Sequence, residues 1–303
     1  MTLIRNTIVL CALLITTQAQ ALNILLTNDD GYDHPWIRAV HASLTTAGHQ
    51  VTLVAPAVNQ SGQSAALTLS KAELENPEPG IYAFHGTPAG SALAGLTRVM
   101  EERPDLVVSG TNEGANIGVL SSFSGTVGAV VAALHLAGEP LPGIAISGNL
   151  INTGEDVNSE ANLAHGRQIA DFLAGLVAHL DENREEGAAL LPPGIALNVN
   201  YPTVSPEEVK GVGIYRHGRN LSSLFSLMAG ERQDGDEQAS NFLSSIQQGD
   251  SQPALDGDIA ALTDGYITIV PIDGDYTAPN WQEVFPDDFF AELSPASAAG
   301  EKH

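Results

Sequence analysis

The sequence has very little positive charge. Its 12 lysine and arginine residues are opposed by 36 aspartate and glutamate residues, which gives a formal net charge of −24. Because a surface this acidic repels nucleic acid polymers and anionic membranes, neither is expected as a partner. A phosphate-bearing ligand would have to be small, and a local cation would have to hold it.

Cysteine is almost absent, and the single Cys11 lies in a segment with the pattern of a secretory signal peptide. Arg5 precedes an apolar run over 8–15, and Ala19-Gln20-Ala21 has the small-x-small form of a cleavage site. We expect residues 1–21 to be removed and the protein to be exported, either to a periplasm or outside the cell. The mature protein would then have no disulfide, thiolate metal site or cysteine nucleophile. No apolar run reaches the about 20 residues that span a bilayer.

Short apolar runs alternate with helical patterns, which predicts a doubly wound α/β fold with a mostly parallel sheet over residues 22–280. Strands are predicted at 24–26, 51–55, 105–109, 144–147, 195–199, 212–215 and 266–270, with extended segments at 65–71 and 81–84. Helices are predicted at 35–48, 91–101, 121–137, 160–180 and 258–262. Residues 221–255 lack periodicity and are expected to form a protruding arm used in subunit contacts, followed by a tail at 281–303.

The segment Asn23–Gly31, NILLTNDDG, has the pattern of a buried parallel strand that ends in two carboxylates. Adjacent side chains of a strand point to opposite faces, so Asp29 and Asp30 can share a ligand only if the chain turns there. Gly31 permits that turn. The pair indicates a metal site. An equally good interpretation at this point is a loop whose aspartates cap backbone amides.

Two further polar loops follow parallel strands and are therefore expected at the same edge of the sheet. The loop 56–64 contains Ser61, which is either a ligand or a turn serine bonded to its own backbone. The loop 110–118 is rich in glycine, and Asn112 in it has a carboxamide oxygen suited to a cation. It does not match the G-x-G-x-x-G fingerprint of dinucleotide-binding proteins, and it follows the wrong strand for that role.

The segment 121–130, SSFSGTVGAV, predicts the start of a helix made of small residues. Ser124, Gly125 and Thr126 lie at its N-terminus, where free backbone N–H groups and the helix dipole favour a phosphate. Ordinary N-capping is the alternative. The basic cluster Arg216-His217-Gly218-Arg219 is predicted to be a solvated turn, with phosphate contact as the less favoured interpretation.

These segments, taken together and in order, resemble the SurE family of survival-protein nucleotidases. The matching stretches between Asn23 and Ala278 are NILLTNDDG, VAP followed by NQSG, HGTPA, PDLVVSGTNEGANIG, FSGTVGA and GYITIVPIDGDYTA. The resemblance implies a Rossmann-like fold and a divalent-metal phosphomonoesterase that acts on nucleoside 5′- and 3′-monophosphates. It also implies dimers or tetramers formed through C-terminal exchange, and metal ligation by the residues at the family's motif positions: Asp29, Asp30, Ser61 and Asn112.

Hard oxygen donors of this kind suit Mg²⁺ or Mn²⁺. The hypothesis is in-line attack on phosphorus by a metal-held water, with Asp29 or Asp30 as general base. The amides of Gly114 to Gly118 and the helix start at Ser124 to Thr126 would hold the other phosphate oxygens, with Asn116 as a side-chain donor. An acid-phosphatase-like monoester hydrolase is therefore expected.

The sequence also departs from the family's pattern and leaves other functions to be weighed. Gly90-Ser91 replaces the usual Asp-Cys, and Gly257-Asp258 replaces the usual Thr-Asp. Phosphatases that form an aspartyl-phosphate normally have a D-x-D motif after the first strand, and serine hydrolases normally have a G-x-S-x-G motif. Neither motif is at the predicted site. The main alternative is an exported protein that binds nucleotides or phosphate without catalysis, and a scaffold that has lost its activity is a further one.

Overall fold

The computed structural model describes residues 21–68, 71–219, 256–277 and 283. All but Ala21 of the expected signal peptide at 1–21, the whole arm at 221–255 and nearly all of the tail at 281–303 lie outside these residues. The described residues up to Ile272 form one compact unit. In the second unit, which starts at Asp273, the Asp273 and Asp275 carboxylates accept backbone N–H bonds from the residues two positions on.

Nine strands form one mixed sheet in the first unit, in the order β3-β4-β2-β1-β5-β6-β7-β9-β8. Among the described strands, only the β3–β4 and β7–β9 pairs are antiparallel. The strands are β1 (Asn23–Thr27), β2 (Gln50–Pro56), β3 (Leu74–Glu78), β4 (Ile81–Phe84), β5 (Leu106–Glu113), β6 (Gly143–Gly148), β7 (Ala196–Tyr201), β8 (Val212–Ile214) and β9 (Ile267–Ile272). The predicted mostly parallel α/β architecture is confirmed.

Helices cover both faces of the sheet, as a doubly wound fold requires. The helices are α1 (Pro35–Thr46), α2 (Pro88–Ala94), α3 (Gly125–Leu136), α4 (Glu160–Asn183) and α5 (Gly257–Thr263). Ile24 and Leu26 of β1 pack with α1 and α4, whereas Leu25 between them packs on the opposite face. A strand buried on both faces needs an unbroken apolar run, which explains the sequence of β1.

Two local predictions differ from the structure. The described part of 65–71 contains no strand, and the antiparallel partner of β4 is instead Leu74–Glu78. This strand is charged, contains a proline and lies at the sheet edge with four of its five residues exposed, so it has no apolar alternation to detect.

Strand β5 also continues beyond the predicted end at Ser109, as far as Glu113. Its pairing with β6 shifts register between Ser109 and Asn112. Gly110 lies inside this irregularity with φ +126°, and a Cβ there would lie 2.2 Å from the Ile146 carbonyl oxygen. Only glycine fits that backbone. Because the pairing with β6 resumes after this irregularity and continues to Glu113, Asn112 lies near the end of a strand and not in a loop.

Candidate active site

The two carboxylates after β1 lie in a tight turn closed by their neighbours. The Asn28 side chain donates to the Gly31 carbonyl at 2.9 Å and accepts from the Gly31 N–H at 3.1 Å. Asn28 is fully buried, and Gly31 adopts φ +119°. The turn removes the strand alternation, so Asp29 and Asp30 both lie at the carboxyl edge of the sheet, as predicted.

Asp29 contacts the N-terminus of α3. The Thr126 hydroxyl donates to the Asp29 carboxylate at 2.5 Å, and a Cβ at Gly125 would lie 2.8 Å from the same carboxylate. Ser124 caps the helix, with its Oγ accepting the Val127 N–H at 3.2 Å. Burial raises the pKa of Asp29, and hydrogen bonds from the side chain and backbone of Thr126 and the backbone of Gly125 oppose that rise. The predicted phosphate helix therefore begins directly against the first predicted metal ligand.

Asp30 joins the two other predicted ligand segments. Its carboxylate accepts the Asn59 side-chain N–H at 3.2 Å and the Glu113 backbone N–H at 2.9 Å. Asn59 in turn accepts the N–H of Ser61, which is exposed, at 2.9 Å. Asn112 precedes Glu113 in the chain and is 8 % exposed. The segments that carry all four predicted ligands are thus linked through Asp30.

The electrostatics of this pair favour a cation. Burial and the neighbouring Asp29 carboxylate raise the pKa of Asp30 to about 7, while His34 and the Glu113 N–H oppose the rise. Two carboxylates in one desolvated site cannot both ionise cheaply without a positive charge. The Asn112 amide nitrogen donates to the Gly114 carbonyl at 2.5 Å, which leaves its oxygen as the atom suited to a cation. The donor set fits Mg²⁺ or Mn²⁺.

The glycine-rich loop 114–118 differs from its predicted role as a set of free amides. The Gly114 N–H donates to the Gly148 carbonyl at 2.8 Å, and the Asn116 N–H donates to the Asn200 side chain at 2.7 Å. The N–H groups of Ala115 and Gly118 are also bonded to side chains. In this conformation the Gly114 N–H is already bonded within the protein, so its role in holding a phosphate oxygen stays a prediction.

Asn116 keeps a donor that its neighbours do not use. Its side-chain nitrogen gives one hydrogen to the Ser147 Oγ at 2.8 Å, and a carboxamide has a second. The Asn116 carbonyl accepts from the side chains of Ser121, Asn198 and Asn200 at 2.9, 2.8 and 3.1 Å. These contacts hold the residue in one orientation.

Sequence reasoning missed the residues that support the site. Asn198 and Asn200 are fully buried near the carboxyl end of β7, and two amides at a spacing of two in an apolar strand were the available signal. His34 caps α1 and lies 3.3 Å from the Glu113 carboxylate.

The basic cluster at 216–219 forms ion pairs: Arg216 with Asp256 at 2.8 Å and His217 with Asp258 at 3.0 Å. This pairing supports the turn interpretation.

A second group of potential metal ligands lies away from the predicted four. One ligand atom from each of Glu73, Glu75 and His85 falls within 4.8 Å of the others. All three residues are exposed, and His85 already pairs with Glu75 at 2.6 Å. The pair formed by the buried Asp29 and the partly exposed Asp30 is therefore the stronger candidate for a functional cation.

The fold and the site define a class: an α/β protein with a doubly wound sheet and a cluster of oxygen donors at the carboxyl ends of its parallel strands, where such folds bind ligands. Comparison with known proteins is more specific. The sequence model of the family described as "Survival protein SurE" matches residues 24–223. The chain belongs to the SurE family.

Individual relatives are similar over most of their length. A 5′-nucleotidase SurE from Desulfatibacillum aliphaticivorans is 36 % identical over 264 residues, covering 84 % of this chain and 94 % of the relative. One from Actinobacillus pleuropneumoniae is 34 % identical over 273 residues, covering 88 % of this chain and all of the relative. The crystal structure of the SurE protein from Aquifex aeolicus superposes with a TM-score of 0.65 at 25 % identity, covering 89 % of this chain and 99 % of that one.

Proposed function

We propose that this protein is a divalent-metal-dependent phosphomonoesterase that hydrolyses nucleoside 5′- and 3′-monophosphates to nucleoside and phosphate. The observation that carries the proposal is the neighbouring carboxylates of the buried Asp29 and the partly exposed Asp30, which are linked to the segments of Ser61 and Asn112. The relatives named 5′-nucleotidase support the substrate class. The same chemistry makes the enzyme a phosphoric monoester hydrolase of the acid-phosphatase-like type.

Each residue has a distinct role in this proposal. Asp29, Asp30, Ser61 and Asn112 would hold the cation, Mg²⁺ or Mn²⁺. When bound, such a cation polarises a phosphoryl oxygen and lowers the pKa of a water. Because Asp29 is fixed by Thr126 and the start of α3, we assign proton acceptance from the attacking water to the Asp30 carboxylate.

The phosphate oxygens are stabilised by donors that lie beside the proposed metal ligands. Asn116 contributes its second side-chain N–H, and Ser124 contributes its hydroxyl hydrogen while its oxygen caps α3. Gly125 and Thr126 act through Asp29, since their N–H groups bond to that carboxylate. The helix dipole of α3 adds a favourable potential for negative charge. These donors are fixed before substrate arrives, which is what transition-state stabilisation requires.

The test is phosphate release by chelator-treated protein resupplied with Mg²⁺ or Mn²⁺, using a panel of nucleoside 5′- and 3′-monophosphates. We expect release only with metal, and at least a 100-fold loss of kcat/KM in Asn112→Ala. Asp33→Asn, at an exposed aspartate in the loop that also contains Asp29 and Asp30, serves as the control and keeps wild-type activity. Nucleotide binding without phosphate release would instead establish the binding-protein alternative.

Localisation and assembly are further proposals. We propose that residues 1–21 direct export and are cleaved after Ala21, which N-terminal sequencing of the exported protein tests. Among the described residues, no helix is both long and apolar enough to cross a bilayer.

We also propose that the protein forms a homodimer or homotetramer, with residues 221–255 in the subunit contacts. Light scattering of the full protein and of a variant lacking 221–255 measures the oligomeric state.

A further inference from the structure

A cleft of about 750 Å³ opens beside the candidate active site. It is bounded by Glu113 and Gly114 at the end of β5, by the segment 149–157 after β6 and by Thr203 after β7. Because the Glu113 N–H donates to the Asp30 carboxylate at 2.9 Å, the cleft begins one residue from the proposed metal ligands. Its volume is within the range of about 300–1,000 Å³ typical of small-molecule sites.

The outer wall of the cleft is fixed from the protein interior. Asn162 of α4 is fully buried, and its side chain accepts the Asn152 N–H at 3.0 Å. The same side chain donates to the carbonyls of Asn152 and Asp156 at 3.1 and 3.0 Å. One carboxamide thus fixes the backbone of the wall at two points.

The inner end of the cleft is tied to the glycine-rich loop. The Asn149 side chain accepts the Ala115 N–H at 2.8 Å, next to the Gly114 N–H bond to Gly148. The internal bonds that remove these amides from phosphate binding therefore hold the loop against the cleft. These hydrogen bonds set the distance between the proposed phosphate position and the part of a ligand that lies in the cleft.

The chemistry of the lining disfavours a second anionic group and suits one that donates hydrogen bonds. Leu150, Ile151 and Val157 provide apolar surface, whereas Glu113, Glu155 and Asp156 provide carboxylates. Carboxylates accept hydrogen bonds from hydroxyl and amino groups, and they repel anions. Among the lining residues there is no lysine or arginine that could hold a second phosphate.

We propose that this cleft binds the nucleoside part of the substrate, with the base against Leu150, Ile151 and Val157 and the sugar hydroxyls toward the carboxylates. Its acidic lining discriminates against nucleoside di- and triphosphates, whose additional phosphates would enter the cleft next to Glu113. The proposal rests on the proposed function for the position of the scissile phosphate.

The experiment compares two phosphate esters in the full protein with metal: a nucleoside monophosphate, and glycerol 3-phosphate, which has no base. Ile151→Ser removes apolar lining at a partly exposed position outside the main core. We expect kcat/KM for the nucleotide to fall about 10-fold while that for glycerol 3-phosphate changes less than about twofold. Leu136→Ser, an exposed leucine at the end of α3, is the matched control and leaves both values unchanged.

A parallel fall for both esters, or no fall for either, overturns the proposal. Calorimetric titration with adenosine alone gives a readout that does not depend on catalysis, and Ile151→Ser should weaken its binding by a similar factor. If the wild-type protein binds adenosine at this cleft but hydrolyses no ester, the proposed function fails and the cleft assignment stands. If it hydrolyses nucleotides and the Ile151→Ser protein binds adenosine as tightly, the cleft assignment fails alone.

Removal of one carboxylate from the cleft tests separately whether its acidic lining discriminates against additional phosphates. Glu155→Gln removes one carboxylate from the lining without changing its shape, and the ratio of kcat/KM for nucleoside mono- over diphosphate should fall about three- to tenfold at low salt. Glu182→Gln, on the exposed surface of α4, is the control. An unchanged ratio refutes the acidic discrimination.

Discussion

The raised pKa of Asp30 makes the stability of the metal-free protein depend on pH in a direction opposite to that of most paired aspartates. The folded-state pKa is about 7, against 3.8 for an ordinary aspartate, because the carboxyl is buried beside Asp29. Between these two values the folded state binds more protons than the unfolded state. The free energy of unfolding must therefore decrease as pH rises from about 4 to about 7.

The magnitude follows from the difference between the two pKa values. At 1.36 kcal/mol for each pKa unit, a difference of about three corresponds to at most about 4 kcal/mol of stability lost by pH 7.5. Asp30→Asn cannot ionise and keeps an oxygen for the Glu113 N–H, so it should lose much less over the same range. The variant should be the more stable protein at pH 7.5 and nearly equal to wild type at pH 4.5.

The assay is urea unfolding of chelator-treated protein at several pH values between 4.5 and 8. Saturating Mg²⁺ or Mn²⁺ should restore the free energy of unfolding of the wild-type protein at high pH, because the cation replaces the proton between the carboxylates. Asp33→Asn is again the matched control and should parallel wild type. Identical pH profiles for wild type and Asp30→Asn would refute the argument that this pair stores electrostatic repulsion.

Two further predictions concern folding and are checked by the same unfolding assay. Gly128→Ala in α3 places a Cβ 2.1 Å from the Ser64 carbonyl oxygen and should cost about 1–3 kcal/mol, whereas Gly175→Ala in α4 meets nothing within 4 Å and should stabilise by about 0.5–1 kcal/mol. Equal effects would contradict the packing of α3 on that loop. Asp258→Ala leaves two backbone N–H groups unpaired in the interior and should cost about 3 kcal/mol, while the exposed Asp264→Ala should change little. A small loss in Asp258→Ala would show that those donors find other partners.

The edge on which the candidate site lies was predictable from local pattern. An apolar run that stops at Asn28-Asp29-Asp30-Gly31 can only be a buried strand followed by a turn, and parallel strands bring their carboxyl ends to one edge. The structure accordingly links the segments of Asp29, Asp30, Ser61 and Asn112. Their role as metal ligands stays a prediction, carried by the family's motif positions and by the buried charge.

The residues that hold the site in place were not predictable in the same way. Asn200 and Asn198 contact Asn116 across more than 80 positions of chain, and Asp258 reaches Gly118 across 140. Strand β3 was missed because an exposed edge strand needs no apolar face. The state of the loop amides was missed because glycine content shows that a backbone can approach a ligand, not that its N–H groups are free.

The sequence by itself determined the order of the helices and of every strand except β3, the two-sided burial of the central strands and the position of the paired carboxylates, because each depends on residues within a few positions of one another. Only the tertiary structure decided which donors remain available to a phosphate, how far burial raises the pKa of Asp30, and that a cleft walled by 149–157 adjoins the site. These properties depend on the register of β5, β6 and β7 and on the exclusion of water by packed helices. Both arise between segments that are distant in the chain.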